Sequence, residues 1–372
     1  MKLAVVHEWL NVYGGSERLL GEVLKIHPQA HLHALIHNKQ NLLGTPLEGV
    51  SVKTSFMQHI PRVEHLYRGL LPLMPIAIER MDVRDFDVVL SISHAVAHGI
   101  KTHDDQIHIS YVCTPMRYAW HLQDDYLNLH HLDKPLIGAA ARLTLNLLRR
   151  WDRAAAPRAD HLLAISHWTV QKVQQAWGRD SQVIYPPVDV ERFSPAKERE
   201  NFYIHVSRLV PYKMTAEIVK AFNRLNLPLV IIGDGPEMPH LKKLAGENIK
   251  LLGFQPDAIV ADMLSRAKAF VYMATEDFGI AMVEAQAAGC PIIAYGKGGA
   301  AEIIRDGETG LLFKEQTAES LAEMVIKFET MRLNSKAALE NAARFSRDRF
   351  QKEFSAFMGS ENLSPTLRRQ AA

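Results

Sequence analysis

The feature that most constrains this chain is a rhythm that runs twice. Short β-branched apolar runs alternate with longer helical segments, stop at a proline-rich break, and begin again. Strands separated by helices return to the same edge each time, so they pair in parallel with helices covering both faces of the sheet. In the first half the expected strands are Lys2–Glu8, Ala30–His37, Ser51–Thr54, Asp87–Ser93, Ile107–Cys113, His161–Ser166 and Gln182–Tyr185. In the second half they are Phe202–Ser207, Leu229–Gly233, Ile249–Gly253, Phe270–Ala274 and Pro291–Tyr295. The break reads Tyr185-Pro186-Pro187-Val188-Asp189, then Phe193-Ser194-Pro195 and the charged Lys197-Glu198-Arg199-Glu200. Proline removes a backbone donor and pushes its predecessor into extended conformation, so this stretch reads as a linker, with a surface loop inside one domain as the alternative. A chain of 372 residues exceeds what one hydrophobic core usually supports. The expectation is an α/β protein with two doubly wound units: 1–188, a linker at 189–201, 202–345, and a C-terminal segment 346–372 that frays at Ser364–Ala372.

Composition removes several function classes. Forty-three basic side chains against forty-one acidic ones leave a net charge of +2, too little for a global field that gathers nucleic acid. Any anion site is therefore local. Cys113 and Cys290 form no CxxC pair, which argues against a zinc module or a disulfide framework and fits a reducing cytoplasm. The apolar run Met1–Val6 is too short for a signal peptide. No stretch reaches the roughly 18 apolar residues of a membrane span. Leu70–Ile78 is broken by Pro72 and Pro75, and Leu136–Leu148 by Arg142; either is a candidate only for touching a membrane surface.

In open parallel sheets, ligands bind at the carboxyl ends of strands, and the chemistry-bearing residues are sought there. Thr275 to Ala285 follows an apolar strand and opens an alanine-rich helix, with Glu276 and Glu284 eight residues apart. On one helix that spacing puts them about 80° apart and two turns distant, so a shared site needs Glu276 on the preceding loop and Glu284 in the first turns. Gly279 permits that geometry, and the backbone N–H groups from Phe278 to Ala281 then face an anion. The alternative is a pair of ordinary helix-terminal carboxylates. Arg208 and Lys213 follow the first strand of the second half and offer a fork and a point charge to a diphosphate. Cations are disfavoured at a helix start, so two exposed charges there invite a function. Glycine turns at Gly233-Asp234-Gly235-Pro236, Gly253-Phe254 and Gly298-Gly299 let backbone approach a ligand closely, although glycine also serves ordinary turns. Gly14-Gly15-Ser16-Glu17 begins a helix after the first strand but lacks the spacing of a dinucleotide or Walker loop.

Other features read as structural. Asp85-Phe86-Asp87 has the form of a metal-binding DxD but precedes a strand, where it makes a turn. The eighteen histidines contain no HExxH, and His130-His131 are adjacent, so no metal is expected. Arg149, Arg150, Arg153 and Arg158 read as a solvated basic face.

Taken in order, these motifs resemble retaining family-four glycosyltransferases of the GT-B fold. The match runs through SRLVPYK at Ser207–Lys213, IIGDGPE at Ile231–Glu237, LLGF at Leu251–Phe254, the Glu276–Glu284 segment, and GGAAEII followed by GETGLLF. It extends to the N-terminal GGSER and the closing RFSRDRF. The resemblance implies two Rossmann-like doubly wound domains facing across a cleft, with the C-terminal helix around Phe350 crossing back to the first. It implies that Arg208 and Lys213 hold the donor diphosphate, that Glu276 contacts the donor sugar with backbone help from Phe278, Gly279 and Ile280, and that Glu284 holds the ribose. Gly253 and Phe254 would sit by the base, Gly235 near the donor, and Gly15 would approach it from the other domain. Glu276, Arg208 and Lys213 are thus the expected catalytic set. The segment Tyr111–Tyr118 resembles a strand-end motif that often carries histidine where Cys113 stands, which makes His94, Cys113 and Arg117 the acceptor-side candidates. Its TPMRY portion resembles bacterial enzymes of surface-polysaccharide assembly, many of them mannosyltransferases. The implied function is metal-independent transfer of a hexose, mannose from GDP-mannose, onto a lipid-linked glycan in the cytoplasm or at the inner membrane face, with no cofactor beyond the nucleotide sugar. A sugar-nucleotide 2-epimerase and a non-catalytic nucleotide-sugar-binding regulator are the alternatives.

Overall fold

The computed structural model describes residues 2–121, 123, 127, 135–196 and 198–360. The end at Ser364–Ala372, the His130-His131 pair and Lys197 lie outside them.

The chain folds into two compact units, one of residues 1–186 with 351–372 and one of residues 187–350. The first unit holds a seven-stranded parallel sheet built from β1 (Leu3–Leu10), β2 (His31–His37), β3 (Val52–Thr54), β4 (Val88–Ser93), β5 (Ile107–Val112), β6 (His161–Ala164) and β7 (Gln182–Val183). Their order is β3-β2-β1-β4-β5-β6-β7. The second unit holds a six-stranded parallel sheet of β8 (Tyr203–Val206), β9 (Leu229–Ile232), β10 (Ile249–Gly253), β11 (Ala269–Tyr272), β12 (Ile292–Tyr295) and β13 (Gly310–Phe313), in the order β10-β9-β8-β11-β12-β13. Both are α/β sheets wound outward in two directions from a central strand pair.

Burial explains the composition of the central strands. β4, Val-Val-Leu-Ser-Ile-Ser, is buried along its whole length, as expected for a strand covered on both faces. Helices cover the sheets and are delimited by local chemistry. Ser166 accepts the amide of Thr169 at 2.9 Å to cap the helix His167–Trp177, and Gly178, with φ of 67°, ends it.

Three features differ from the sequence reading. β13 was not anticipated, because its GLLF run opens on a glycine; Gly310 is required there, since a Cβ would lie 2.3 Å from the carbonyl oxygen of Ile292 on the neighbouring strand. β1 runs two residues past Glu8, so His7 and Glu8 lie inside the sheet. The 189–201 stretch packs onto the second unit: Arg192 reaches Glu284, and Arg199 donates to the carbonyl of Ala267 at 2.7 Å.

The helix Arg347–Met358 carries the chain out of the second unit, and its later turns pack on the first. Gln351 Nε2 donates to Glu22 at 3.1 Å, and the Phe354 ring meets His27 edge-on at 6.2 Å. Of the expected solvated basic face, Arg150 and Arg153 are exposed, yet three of the four arginines act as staples. Arg149 donates to the carbonyl of Ala119, Arg153 to that of Ala176 at 3.0 Å, and Arg158 to Glu79 at 2.8 Å. Arginine carries several donors in a fixed fork, which suits it to closing loops in this way. No helix among the described residues is long and apolar enough to cross a membrane.

Candidate active site

The second unit gathers its charged residues where β8 and β11 end side by side. After β8 the chain turns through Ser207 and Arg208 into a single helical turn, Pro211–Lys213. Two glycines make this turn possible. A Cβ on Gly233 would lie 1.8 Å from the carbonyl oxygen of Ser207, and one on Gly235 would lie 2.2 Å from that of Leu209. Gly235, expected as a donor contact, thus buttresses the loop that carries Arg208. The Arg208 guanidinium is exposed and has no protein partner among the described residues.

Lys213 is instead largely buried. Its ammonium pairs with Glu276 and lies 3.1 Å from the Tyr272 hydroxyl, which donates to Glu276 Oε1 at 2.5 Å. Lys213 and Glu276 are each only 14% exposed. Burial disfavours the charge on Lys213, but the Glu276 carboxylate outweighs it and holds the ammonium well above its usual range. Burial, reinforced by Glu276, likewise keeps the Tyr272 hydroxyl protonated. Beneath the cluster His205 is fully buried, with Nδ1 2.9 Å from the Val271 carbonyl and Nε2 2.8 Å from Ser207 Oγ. Burial, helped by the charge of Lys213, depresses its pKa to about 4.

That depression makes a prediction. Below pH 6.5 the unfolded chain binds a proton at this imidazole that the folded chain refuses until about pH 4, so stability is lost as pH falls through that window. His205 alone contributes a loss of about 3 kcal/mol. Urea unfolding at stepped pH is expected to show a shallower acid slope in His205→Gln than in the wild type; parallel slopes would refute it.

Glu276 occupies the loop between β11 and the helix Ile280–Ala287, and Glu284 the second turn of that helix, the arrangement that the spacing required. The loop is held by the neighbouring turn: Gly299 N donates to the Glu276 carbonyl at 2.9 Å. Gly279, with φ of 110°, sets the chain into the helix, and the amides of Gly279, Ile280 and Ala281 have no acceptor among the described residues. Phe278 is buried, its ring 5.4 Å from that of Phe345. Glu284 accepts from Arg192 Nη2 at 2.7 Å, and Arg192 also pairs with Asp257. Gly253 ends β10 with φ of 70°, and Phe254 beside it is 78% exposed, an aromatic face left uncovered.

In the first unit Gly15 opens the helix Gly15–Ile26, whose start is closed by Glu17 accepting the Gly14 amide at 2.9 Å. His94 follows β4, and Cys113 follows β5 with its amide donating to the Ser93 carbonyl at 2.7 Å. Arg117 begins a short helical turn close enough to His94 to oppose its protonation. Both cysteines are free thiols. One ligand atom each from His7, Glu8 and His94 falls within 4.8 Å of the others. There Glu8 Oε1 is taken by backbone amides, while Oε2 lies 2.9 Å from His94 Nδ1 as an ion pair without hydrogen-bond alignment.

The sequence reading did not single out Tyr272, His205, Arg192 or Glu8. Glu8 carried a signal: a carboxylate inside an apolar strand is expensive to bury without partners.

The second unit is the part of the chain that a known family matches. Residues 188–345 match the family described as Glycosyl transferases group 1. The second unit is similar to group 1 glycosyl transferase domains. Among relatives of the whole chain, the exopolysaccharide phosphotransferase SCO2592 of Streptomyces coelicolor is 31% identical over 54% of this chain and 23% of its own length. A GDP-mannose-dependent monoacylated alpha-(1-6)-phosphatidylinositol monomannoside mannosyltransferase of Corynebacterium glutamicum is 29% identical over 47% of this chain and 54% of its own. The chain thus spans from about a quarter to about half the length of these relatives. Among solved structures, Anabaena Alr3699/HepE in complex with UDP and glucose superposes with a TM-score of 0.69 over 97% of this chain and 100% of its own, at 18% identity. This likeness gives the second unit and its companion the GT-B fold.

Proposed function

We propose that the chain is a retaining, metal-independent glycosyltransferase that moves a hexose, mannose from GDP-mannose, onto a lipid-linked glycan acceptor of surface-polysaccharide assembly. The observation that carries this reading is the Lys213–Glu276–Tyr272 cluster beside the free guanidinium of Arg208 and the unpartnered amides that open the helix Ile280–Ala287. Lys213 and Glu276 neutralise each other while no substrate is present. A sugar diphosphate separates them: Lys213 and Arg208 turn to the diphosphate, Glu276 is released to accept from sugar hydroxyls, and Tyr272 keeps a hydrogen bond to the carboxylate. As the bond to the sugar breaks, negative charge grows on the departing diphosphate, and the two cations and helix-start amides stabilise it electrostatically. These fixed cations supply the charge neutralisation that a metal ion gives elsewhere. Attack comes from the face of departure, with the leaving phosphate oxygen taking the proton of the acceptor hydroxyl. Phe254 offers a stacking face for the base, and Glu284, oriented by Arg192, an acceptor for ribose hydroxyls.

The mannose assignment is supported by the Corynebacterium relative, whose name specifies GDP-mannose. A lipid-linked acceptor is supported by the 62–80 segment, which exposes Leu66, Leu73 and Ile76 among Arg62, Arg68 and Arg80, a surface suited to the cytoplasmic face of a membrane. Incubation with labelled GDP-mannose, with and without lipid-linked glycan, is expected to show label moving only when acceptor is present. Acceptor-free conversion of the nucleotide sugar would establish the epimerase alternative, and binding alone the regulator. A donor panel that includes UDP-glucose checks the base and sugar, and activity abolished by EDTA would overturn metal independence.

A further inference from the structure

Each sheet reverses its winding at one place, and open parallel sheets lodge ligands at the carboxyl ends of the strands on either side of such a reversal. In the second unit it falls between β8 and β11, the strands whose following loops bring Lys213 to Glu276. In the first unit it falls between β1 and β4, and there too a carboxylate meets a cation across it: Glu8 on β1 and His94 just after β4.

The carboxylate of Glu8 is wholly buried and works with both oxygens. Oε1 accepts the backbone amides of His94, Ala95, Val96 and Ala97 at 2.9, 2.8, 3.0 and 3.1 Å, and the Ser93 hydroxyl at 3.2 Å. Oε2 lies 2.9 Å from His94 Nδ1. Capping the turn needs only the first oxygen; the second sets a negative charge against the imidazole, in an ion-pair contact that lacks hydrogen-bond alignment. A ring held between that charge on its Nδ1 side and the indole of Trp9 presents Nε2 in a set direction. His94 Nε2 has no protein partner among the described residues, and the side chain is 20% exposed. The edge of Trp9, 4.7 Å away in T-shaped contact, fixes the ring from the side. The other charged or titratable groups around it are His7, fully buried, whose Nε2 stands 3.7 Å from Glu17, then Glu17 itself and Arg117.

We propose that the Glu8–His94 pair is a carbohydrate site, in which His94 Nε2–H donates to a hydroxyl of a hexose and Glu8 is the positioning residue that fixes the ring. The proposal rests on the glycosyl-transfer reading, and the hexose arrives either as the donor's sugar or as part of the acceptor glycan. Burial opposes the charge on His94, but Glu8 outweighs it and raises the pKa of the imidazole above its usual value, which favours the charged donor. A charged donor to a neutral hydroxyl makes a stronger hydrogen bond than an uncharged one.

Three measurements test it. Long-range 1H–15N correlation of the imidazoles, during titration with methyl α-mannopyranoside and methyl α-glucopyranoside, is expected to move His94 Nε2. In Glu8→Gln the same spectra are expected to show His94 titrating at lower pH and its Nε2 moving less on addition of the glycosides, a loss of response that a merely structural carboxylate would not give. If Glu8→Gln does not fold, His94→Gln carries the test. Its transfer rate from GDP-mannose to lipid-linked glycan is expected to fall about tenfold to a hundredfold, while GDP and UDP affinities measured by calorimetry stay as in the wild type. Loss of transfer with intact donor hydrolysis by water assigns the site to the acceptor glycan; loss of both assigns it to the donor sugar. Either the resonance shift or the rate loss supports the proposal, and the absence of both overturns it. Wild-type protein that neither binds GDP or UDP nor transfers sugar would instead refute the transfer reading, and the glycoside titration would still report on this site.

Discussion

Lys213→Ala is expected to lower turnover about a thousandfold and, independently, to destabilise the second unit by about 3 kcal/mol. The two effects have different origins. On the proposed chemistry, turnover falls because the ammonium no longer turns to the departing diphosphate to stabilise its charge. Stability falls because Glu276, largely withdrawn from water, loses its Lys213 counter-ion. Arg208→Ala separates them. Its guanidinium is exposed and unpartnered, so turnover is expected to drop about a hundredfold while the unfolding midpoint stays put. Steady-state kinetics with GDP-mannose and urea unfolding of both variants check the pair, and near-normal turnover in both would remove these residues from the chemistry.

Gly299→Ala is expected to cost about 3 kcal/mol of stability, although its backbone, at φ of −59°, suits alanine. The reason is proximity: a Cβ there would lie 1.7 Å from the carbonyl oxygen of Phe278 and 2.4 Å from its carbon. Phe278 cannot slide aside freely because its ring is buried against Phe345. The strain therefore falls on the peptide that leads into Gly279 and the helix start, and nucleotide-sugar affinity is expected to weaken with stability. Gly307→Ala is the control. It sits at φ of 78° with nothing within 4 Å of a Cβ, and only its backbone preference is violated, at about 1 kcal/mol. Equal urea midpoints for the two variants would sink the argument.

Much of this was legible in the sequence, and the remainder was hidden for identifiable reasons. Buried parallel strands advertise themselves as continuous apolar runs, so β4, β5, β9 and β12 stood out. The loop-and-helix placement of Glu276 and Glu284 followed from helical geometry alone. Arg192 was obscured because it lies in a proline- and charge-rich stretch that reads as linker, and an ion pair spanning 92 residues has no local signature. Glu8 and His94 are 86 residues apart and meet only because β1 and β4 are neighbours in the sheet. The arginines at 149–158 misled for the opposite reason: clustered charge resembles a wet surface until carbonyl partners from distant loops are known.

The second unit is a single uninterrupted stretch of chain, whereas the first is assembled from the residues before and after it. Its two ends are stitched together: Val188 N donates to the Phe345 carbonyl at 2.9 Å, Val188 bridges Ser346, and Asp189 pairs with Arg347 at 3.0 Å. In genetic terms this is a cassette whose entry and exit are adjacent. Recombination that replaces the stretch 187–350 as a block would bring a new second unit with its own closure intact, leaving the Glu8–His94 side untouched.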